Sequence, residues 1–325
     1  MLKIGLIGCG FMGSMHINCY LNIPGVKVAA VADVRPEKLS EAVNLSGAEG
    51  YATGKELIEK ADVDVIDICL PTFLHAEHAL LAMDKVKYVF IEKPVALTVE
   101  EGKALIEKEK ATGAKVQVGQ VIRFWDEYVE LKKIVDSKKY GKVVSANFRR
   151  LSPVPTWGWD GWLTDPVRSG GAGQDLHIHD VDYVLSLFSK PNAFYSVKNT
   201  LAVENDYVCT LMKYDDFVVS VEGTWGLPES YPFTASFRVV FENAVVENDK
   251  NGFVVYQKDK MEKIEIEKVA LDTASDSGGN ISDLGGYYNE LLYFTDKASK
   301  GEEIENATLC QAVESLEFLM GELNF

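Results

Sequence analysis

The pattern of apolar and polar positions follows two grammars that change near residue 120. Before that point, short apolar runs alternate with amphipathic stretches. Residues 2–7 and 26–32 read as strands, while 11–21 and 36–45 read as helices, the second with a proline in its first turn. Residues 53–58 open a further short helix. The run 63–70 is a buried strand rich in β-branched residues, 73–83 a helix and 88–91 another strand. Thr98-Val99-Glu100-Glu101 opens a capped helix that runs to Ala111, and 116–118 make one more strand. Strand and helix in alternation predict a doubly wound parallel sheet, a Rossmann-type α/β domain over residues 1–121.

From 122 to 325 the pattern predicts a second domain of the α+β class. Residues 125–137 read as a helix and 143–149 as a strand, followed by a long irregular stretch, 151–173, that holds Trp157, Trp159 and Trp162. Such a length without regular structure suggests an ordered loop over a site. A helix is expected over 175–188. Runs of strand character follow at 193–203, 207–214, 217–225, 233–242, 244–247 and 253–257, with turn residues between them. They predict a large, mainly antiparallel, open-faced sheet with helices on one side. Amphipathic helices are expected at 284–299 and 307–323, the last able to pack back towards the first domain. The strands 207–214 and 217–225 carry apolar residues on both faces, and the few helices can cover one. A second subunit is therefore expected on the other, giving a homodimer or homotetramer.

Candidate chemistry begins in the first turn, where Gly8-Cys9-Gly10-Phe11-Met12-Gly13 is a G-x-G-x-x-G directly behind a strand and ahead of a helix. In that context Gly8 makes the tight turn, Gly10 admits a pyrophosphate and Gly13 lets helix and strand pack closely. The second strand ends before Asp33, 20 residues past Gly13, where a carboxylate meets the adenosine ribose. Asp33 thus favours NAD, whereas Arg35 can stack on adenine or meet a 2'-phosphate, which leaves NADP possible.

Composition narrows the partners. A net charge of -16 with no basic tract argues against nucleic acid and anionic membrane, and no apolar run approaches a bilayer span. Met1 leads straight into the first strand, without the features of a signal peptide, so a cytoplasmic protein is expected. Cys9, Cys19, Cys69, Cys209 and Cys310 are widely spaced, with no C-x-x-C, and read as reduced residues. No metal is expected, because His177 and His179 lie two apart and His75 and His78 three apart, without helix spacing for a shared ion.

The glycine fingerprint, Glu92-Lys93-Pro94 behind a later strand, and Asp175-Leu176-His177-Ile178-His179-Asp180 behind a triple-glycine run together resemble the Gfo/Idh/MocA oxidoreductases. The resemblance covers essentially the whole chain. It implies that Lys93 reaches both the nicotinamide ribose and the reacting oxygen of a substrate, that Asp175 contacts substrate and that His179 is the general base. It places Gly8, Gly10, Phe11, Met12, Gly13, Asp33, Arg35, Leu70, Pro71, Thr72, His75, Glu92, Lys93 and Gln120 along the cofactor, and Arg123 and Trp162 near the substrate.

Local readings stand beside these. Thr72 is equally a helix N-cap, His75 a packing residue, Arg123 a structural arginine, and a tryptophan face more often packs a loop than stacks on a sugar. Four-residue spacing puts Asp175 and His179 on one helix face and His177 on another, so His177 is expected to be a satisfied buried histidine, its part in a site open. The function expected is hydride transfer between a sugar, sugar-derivative or cyclitol hydroxyl and NAD. The alternatives are a non-catalytic cofactor-dependent sugar sensor, or a hydrolase or epimerase that recycles tightly bound NAD.

Overall fold

The computed structural model describes residues 1–266 and 284–323. The described residues divide into two compact units, 1–121 with 284–314 and 122–266 with 315–323.

In the first unit, β1 (Leu2–Ile7), α1 (Phe11–Leu21), β2 (Val26–Ala32), α2 (Pro36–Ser46), β3 (Glu49–Tyr51), α3 (Gly54–Lys60), β4 (Val65–Ile68), α4 (His75–Lys85), β5 (Tyr88–Glu92), α5 (Val99–Thr112) and β6 (Lys115–Gly119) follow in order. Their strands form one parallel sheet, β3-β2-β1-β4-β5-β6. β4 and β5 are buried at every position, as a sheet covered by helices on both faces requires. The strand order reverses between β1 and β4, so the loops at their carboxyl ends part and leave the crevice where doubly wound folds bind ligands. The cap at Thr98 is reciprocal: its hydroxyl accepts from the Glu101 amide, and the Glu101 carboxylate accepts from the Thr98 amide.

The second unit holds α6 (Asp126–Ser137), β7 (Val143–Pro153), α7 (Pro166–Ser169), α8 (Ile178–Phe188), β8 (Ala193–Asn199), β9 (Tyr207–Lys213), β10 (Val218–Leu227), β11 (Thr234–Phe241), β12 (Val245–Asp249), β13 (Gly252–Gln257) and β14 (Lys260–Ile264). The strands make one sheet, β14-β13-β12-β11-β7-β10-β9-β8, antiparallel except for the parallel pair β7 and β10. One face is apolar and buried, with Phe148 and Phe237 packed edge-on against Tyr183 of α8 and Tyr128 of α6 respectively. The other face is less apolar than the sequence pattern suggests. Across its middle, Asn147 donates to Ser220, and Arg149 and Tyr207 donate to the Glu222 carboxylate. Exposed apolar groups of the sheet lie towards both edges, at Tyr195, Val197 and Leu211 near β8 and at Tyr256 and Met261 near β14.

The chain closes with α9 (Gly285–Lys300) and α10 (Leu309–Leu323). Residues 284–314, given to the second domain by sequence order, pack within the first unit. The reason is aromatic: Phe294 of α9 meets Phe90 of β5 at 5.3 Å between ring centroids, and Tyr287 lies beside the His16 ring. No described helix is long and apolar enough to cross a membrane.

Candidate functional site

The glycine turn is built for close approach. Gly8 has φ of +95°, and a Cβ there would fall 2.6 Å from the Cys69 carbonyl. At Gly13 a Cβ would fall 1.9 Å from the Gly8 carbonyl, so no side chain fits between strand and helix. Gly10 begins α1 without a side-chain cap, and no acidic residue stands in the first turn, which includes Phe11 and Met12. Amides at such a helix start are donors for an anion.

Asp33 is 7% exposed, and its carboxylate accepts from the Cys9 amide at 2.8 Å, the Arg35 amide at 2.8 Å, Arg35 Nε at 2.9 Å and Arg35 Nη2 at 2.8 Å. Burial opposes its charge, but the hydrogen bonds from Arg35 and the Cys9 amide, with the Arg35 charge, together outweigh burial and hold its pKa below the ordinary value. This differs from the picture of an acid waiting for a ribose. A carboxylate has about four acceptor positions, and here four N–H groups occupy it. A ribose hydroxyl must displace part of the Arg35 fork.

At the carboxyl end of β4, Leu70 and Pro71 lead into a single 3-10 turn, Thr72–Leu74. Thr72 does not cap a helix: its buried hydroxyl has no hydrogen-bond partner among the described residues, and the same holds for the buried side-chain carbonyl of Gln120 behind β6. Such orphaned polar atoms at strand ends fit a polar ligand. His75 is held locally, with Nδ1 2.7 Å from the Pro94 carbonyl and Nε2 2.6 Å from the Leu70 carbonyl. Neither nitrogen remains for a cofactor, so the packing reading of His75 is the one the geometry favours. Glu92 ends β5 and accepts from the Lys93 amide at 3.1 Å. Lys93 itself is partly exposed.

Sequence reasoning missed His16. It is fully buried, with Nδ1 2.8 Å from Asp67 Oδ2 and Nε2 3.1 Å from Glu92 Oε1, the latter off the line a good hydrogen bond needs. Tyr20 donates to Asp67 at 2.8 Å, and Cys69 Sγ lies 3.2 Å from His16 Nδ1. Burial works to lower the His16 pKa, but Cys69 and Asp67 raise it well above the ordinary value. Cys69 is itself pushed far up, chiefly by burial, with His16 opposing. His16, Asp67 and Cys69 are of types that also bind metals, and their atoms lie within 4.8 Å of one another. Their spacing is that of hydrogen-bond partners. The group joins distant parts of the chain, so no local spacing announces it.

In the second unit, the helix expected at 175 starts earlier and is not regular. Gly173–His177 forms a π-helical turn that runs into α8. The four-residue argument for Asp175 and His179 therefore rests on the wrong period, since a π turn carries an extra residue. Even so, Asp175 and His179 are partly exposed and His177 is fully buried. Burial pushes the His177 pKa down to about 3. His177 is not satisfied, however: neither ring nitrogen has a hydrogen-bond partner among the described residues, and the nearest carboxylate, Glu322, is 3.7 Å away. Arg123, a candidate substrate ligand, is 6% exposed and makes a two-pronged pair with Asp182 at 2.7 and 2.8 Å, which Ser315 also joins. Arg150 and Asp180 form a second buried pair. Trp162 is partly buried in a turn in which Asp160 and Gly161 have positive φ, while Trp157 and Trp159 are exposed.

A family described as "Oxidoreductase family, NAD-binding Rossmann fold" matches residues 2–120, and one described as "GFO/IDH/MocA C-terminal domain" matches 128–247. The chain is 31% identical over 232 residues to an inositol 2-dehydrogenase of Salmonella typhimurium, a match covering 70% of this chain and 65% of that protein. Over 183 residues it is 31% identical to an inositol 2-dehydrogenase of Saccharopolyspora erythraea, covering 56% of this chain and 52% of that one. The matched part thus spans about half to two thirds of these relatives. Among solved structures, an oxidoreductase of Agrobacterium radiobacter in complex with NAD+, L-tartaric acid and magnesium superposes with a TM-score of 0.87 at 18% identity, over 99% of this chain and 95% of that one. A levoglucosan dehydrogenase with NADH and levoglucosan gives 0.86 at 21% identity, over 99% and 96%. These likenesses establish the fold.

Proposed function

As the chain belongs to the Gfo/Idh/MocA oxidoreductase family, we propose that it is a NAD-dependent dehydrogenase acting on a hydroxyl of a sugar, sugar derivative or cyclitol. The observation that carries this is the set of ligand-ready groups at the carboxyl ends of the parallel strands: the uncapped start of α1, the orphaned Thr72 hydroxyl and the orphaned Gln120 carbonyl. A nicotinamide held there supplies a hydride acceptor. The first-turn amides of α1 hold the pyrophosphate, and Asp33 takes the ribose as Arg35 yields part of its fork. Lys93 stabilises the negative charge that develops on the substrate oxygen. His179 removes the hydroxyl proton, with Asp175 orienting the substrate. The names of the inositol and levoglucosan dehydrogenases support the substrate class.

The test is turnover with inositol, levoglucosan and a panel of polyols, aldoses and sugar acids, with NAD+ and NADP+ in parallel. His179→Asn should lower kcat by about 10^2 to 10^4 while leaving the dissociation constant for NAD+ nearly unchanged. Full activity in that variant, or tighter binding of NADP+ than of NAD+, would overturn the assignment. A second subunit covers the exposed Tyr195, Val197 and Leu211. Light scattering should then give a multiple of 36.0 kDa, and a stable monomer at micromolar concentration would exclude it.

A further inference from the structure

We propose that His16 is a positioning residue for Lys93: by packing between Asp67 on β4 and Glu92 at the end of β5, it fixes the turn that carries the lysine. This rests on the reading above in which Lys93 acts on the substrate.

The turn Glu92-Lys93-Pro94 is held at both ends by buried histidines from other elements. At its start, one Glu92 oxygen faces His16 Nε2 at 3.1 Å while the other accepts from the Lys93 amide at 3.1 Å. Glu92 thus stands between the ring, which it touches without an aligned hydrogen bond, and the lysine's own main chain, which it binds. At its end, the His75 ring lies between the Pro94 and Leu70 carbonyls, 2.7 and 2.6 Å from its two nitrogens, and donates to one of them. Gly119 of β6 closes the remaining side, since a Cβ there would lie 2.9 Å from Glu92 Oε1. The carboxylate therefore has little room to swing, and His16 decides where it rests.

His16 is itself anchored from every side. Asp67 holds Nδ1 and is held in turn by Tyr20, Cys69 lies at 3.2 Å, Phe90 of β5 meets the ring edge-on at 5.5 Å, and Tyr287 of α9 covers it. An imidazole with a carboxylate at each nitrogen is suited to carry a proton on both. A ring so protonated attracts Glu92 as well as Asp67 and holds the carboxylate at the start of the turn. A ring with this many constraints defines one geometry, and a lysine displaced by as little as 1 Å can cost about 100-fold in rate.

The experiment compares His16→Gln, Glu92→Gln and the double variant, using the substrate found with the panel above and Lys93→Ala as reference. Each single variant should lower kcat by about 10- to 100-fold and leave the NAD+ dissociation constant within about threefold. The double variant should be no slower than the worse single, because both changes break one link. Multiplied losses in the double variant, or wild-type kcat in His16→Gln beside an inactive Lys93→Ala, would overturn the role of His16. An active Lys93→Ala would instead overturn the function on which it rests. A readout independent of activity uses 15N-histidine NMR of the full chain, which has five histidines. One ring should stay protonated on both nitrogens at pH 8 and change in Glu92→Gln, a variant that leaves the Asp67 anchor intact. If all five rings are neutral at pH 8, His16 does not act this way, even if His16→Gln fails to fold.

Discussion

Each unit buries one histidine completely beside a carboxylate, and the two end in opposite states. His16 of the first unit meets Asp67 at 2.8 Å and Glu92 at 3.1 Å, and its pKa is raised. His177 of the second unit stands 3.7 Å from Glu322, and its pKa falls to about 3. Glu322 is pushed the other way, up to about 8 by burial, with Thr210 opposing weakly. Burial penalises charge in both places. Contact makes the difference: Cys69 and Asp67 lie within hydrogen-bond distance of His16 and raise its pKa against burial, whereas Glu322 is too far from His177 to do so. The first site favours the charged form of its histidine, the second the neutral forms of both its groups.

If that contrast is correct, removing the partner must hurt most where the ions are. Asp67→Asn keeps the shape but takes the carboxylate from His16, Tyr20 and Cys69, and should destabilise the protein by about 3 to 5 kcal/mol. Urea denaturation at pH 7 measures it. A loss below ~1 kcal/mol would mean that His16 is neutral and the two sites are alike.

The second unit should respond to pH. His177 has its folded pKa depressed below the ordinary 6.5, so its contribution is present above pH 6.5 and is lost as pH falls towards about 3. Glu322 has its folded pKa raised above the ordinary 4.5, so its contribution is full below 4.5 and is lost as pH rises towards about 8. Between 4.5 and 6.5 the two slopes oppose each other. Above 6.5 only the glutamic acid term remains, falling by at most ~1.4 kcal/mol per pH unit. The groups that face the pair are Thr210, Ser196 through its bond to Thr210, and the backbone at Gly223. Glu322→Gln removes the titration, so the stability gap between variant and wild type should widen in the variant's favour from pH 5 to pH 8. A constant gap would show that Glu322 is ionised throughout.

The two regions also differ in how much could be read beforehand. The first-unit sheet was legible because β1, β2, β4 and β5 are mostly apolar runs between helical patterns, and Gly8, Gly10 and Gly13 stand in a context that few other folds supply. The three-residue β3 was not, because an edge strand of that length has no periodicity. β14 carries Lys260, Glu262 and Lys263 among its five residues and lies almost wholly exposed, so it carries no apolar signal. The π turn hid because apolar spacing does not distinguish it from an α-helix, and it shifted the register on which the Asp175 and His179 comparison depended. The Asp33 and Arg35 fork was half visible: both residues were noticed, but as rivals for a cofactor rather than partners of each other. His16 lay inside the fingerprint helix and still escaped notice, since what gives it a role are Asp67 and Glu92, which only the folded sheet brings to it.

The smallest expected effect decides what charges His16. Two neighbours raise its pKa, Cys69 and Asp67, and they are not equivalent. A thiol can offer negative charge only when ionised, and burial, Asp67 and Glu92 all push the Cys69 thiol up, with His16 alone drawing it down. In its neutral form it contributes weak contacts at 3.2 Å to His16 and 3.4 Å to Asp67. Cys69→Ala should therefore cost only about 1 kcal/mol, the scale of one modest hydrogen bond and a little lost packing. The His16 ring should keep both nitrogens protonated at pH 8 in the 15N spectrum, and thiol-directed alkylation of the folded protein should spare residue 69. If His16 instead becomes neutral in Cys69→Ala while Asp67→Asn leaves it charged, the ion pair of the first unit is a thiolate and imidazolium, and the carboxylates serve only to hold the ring.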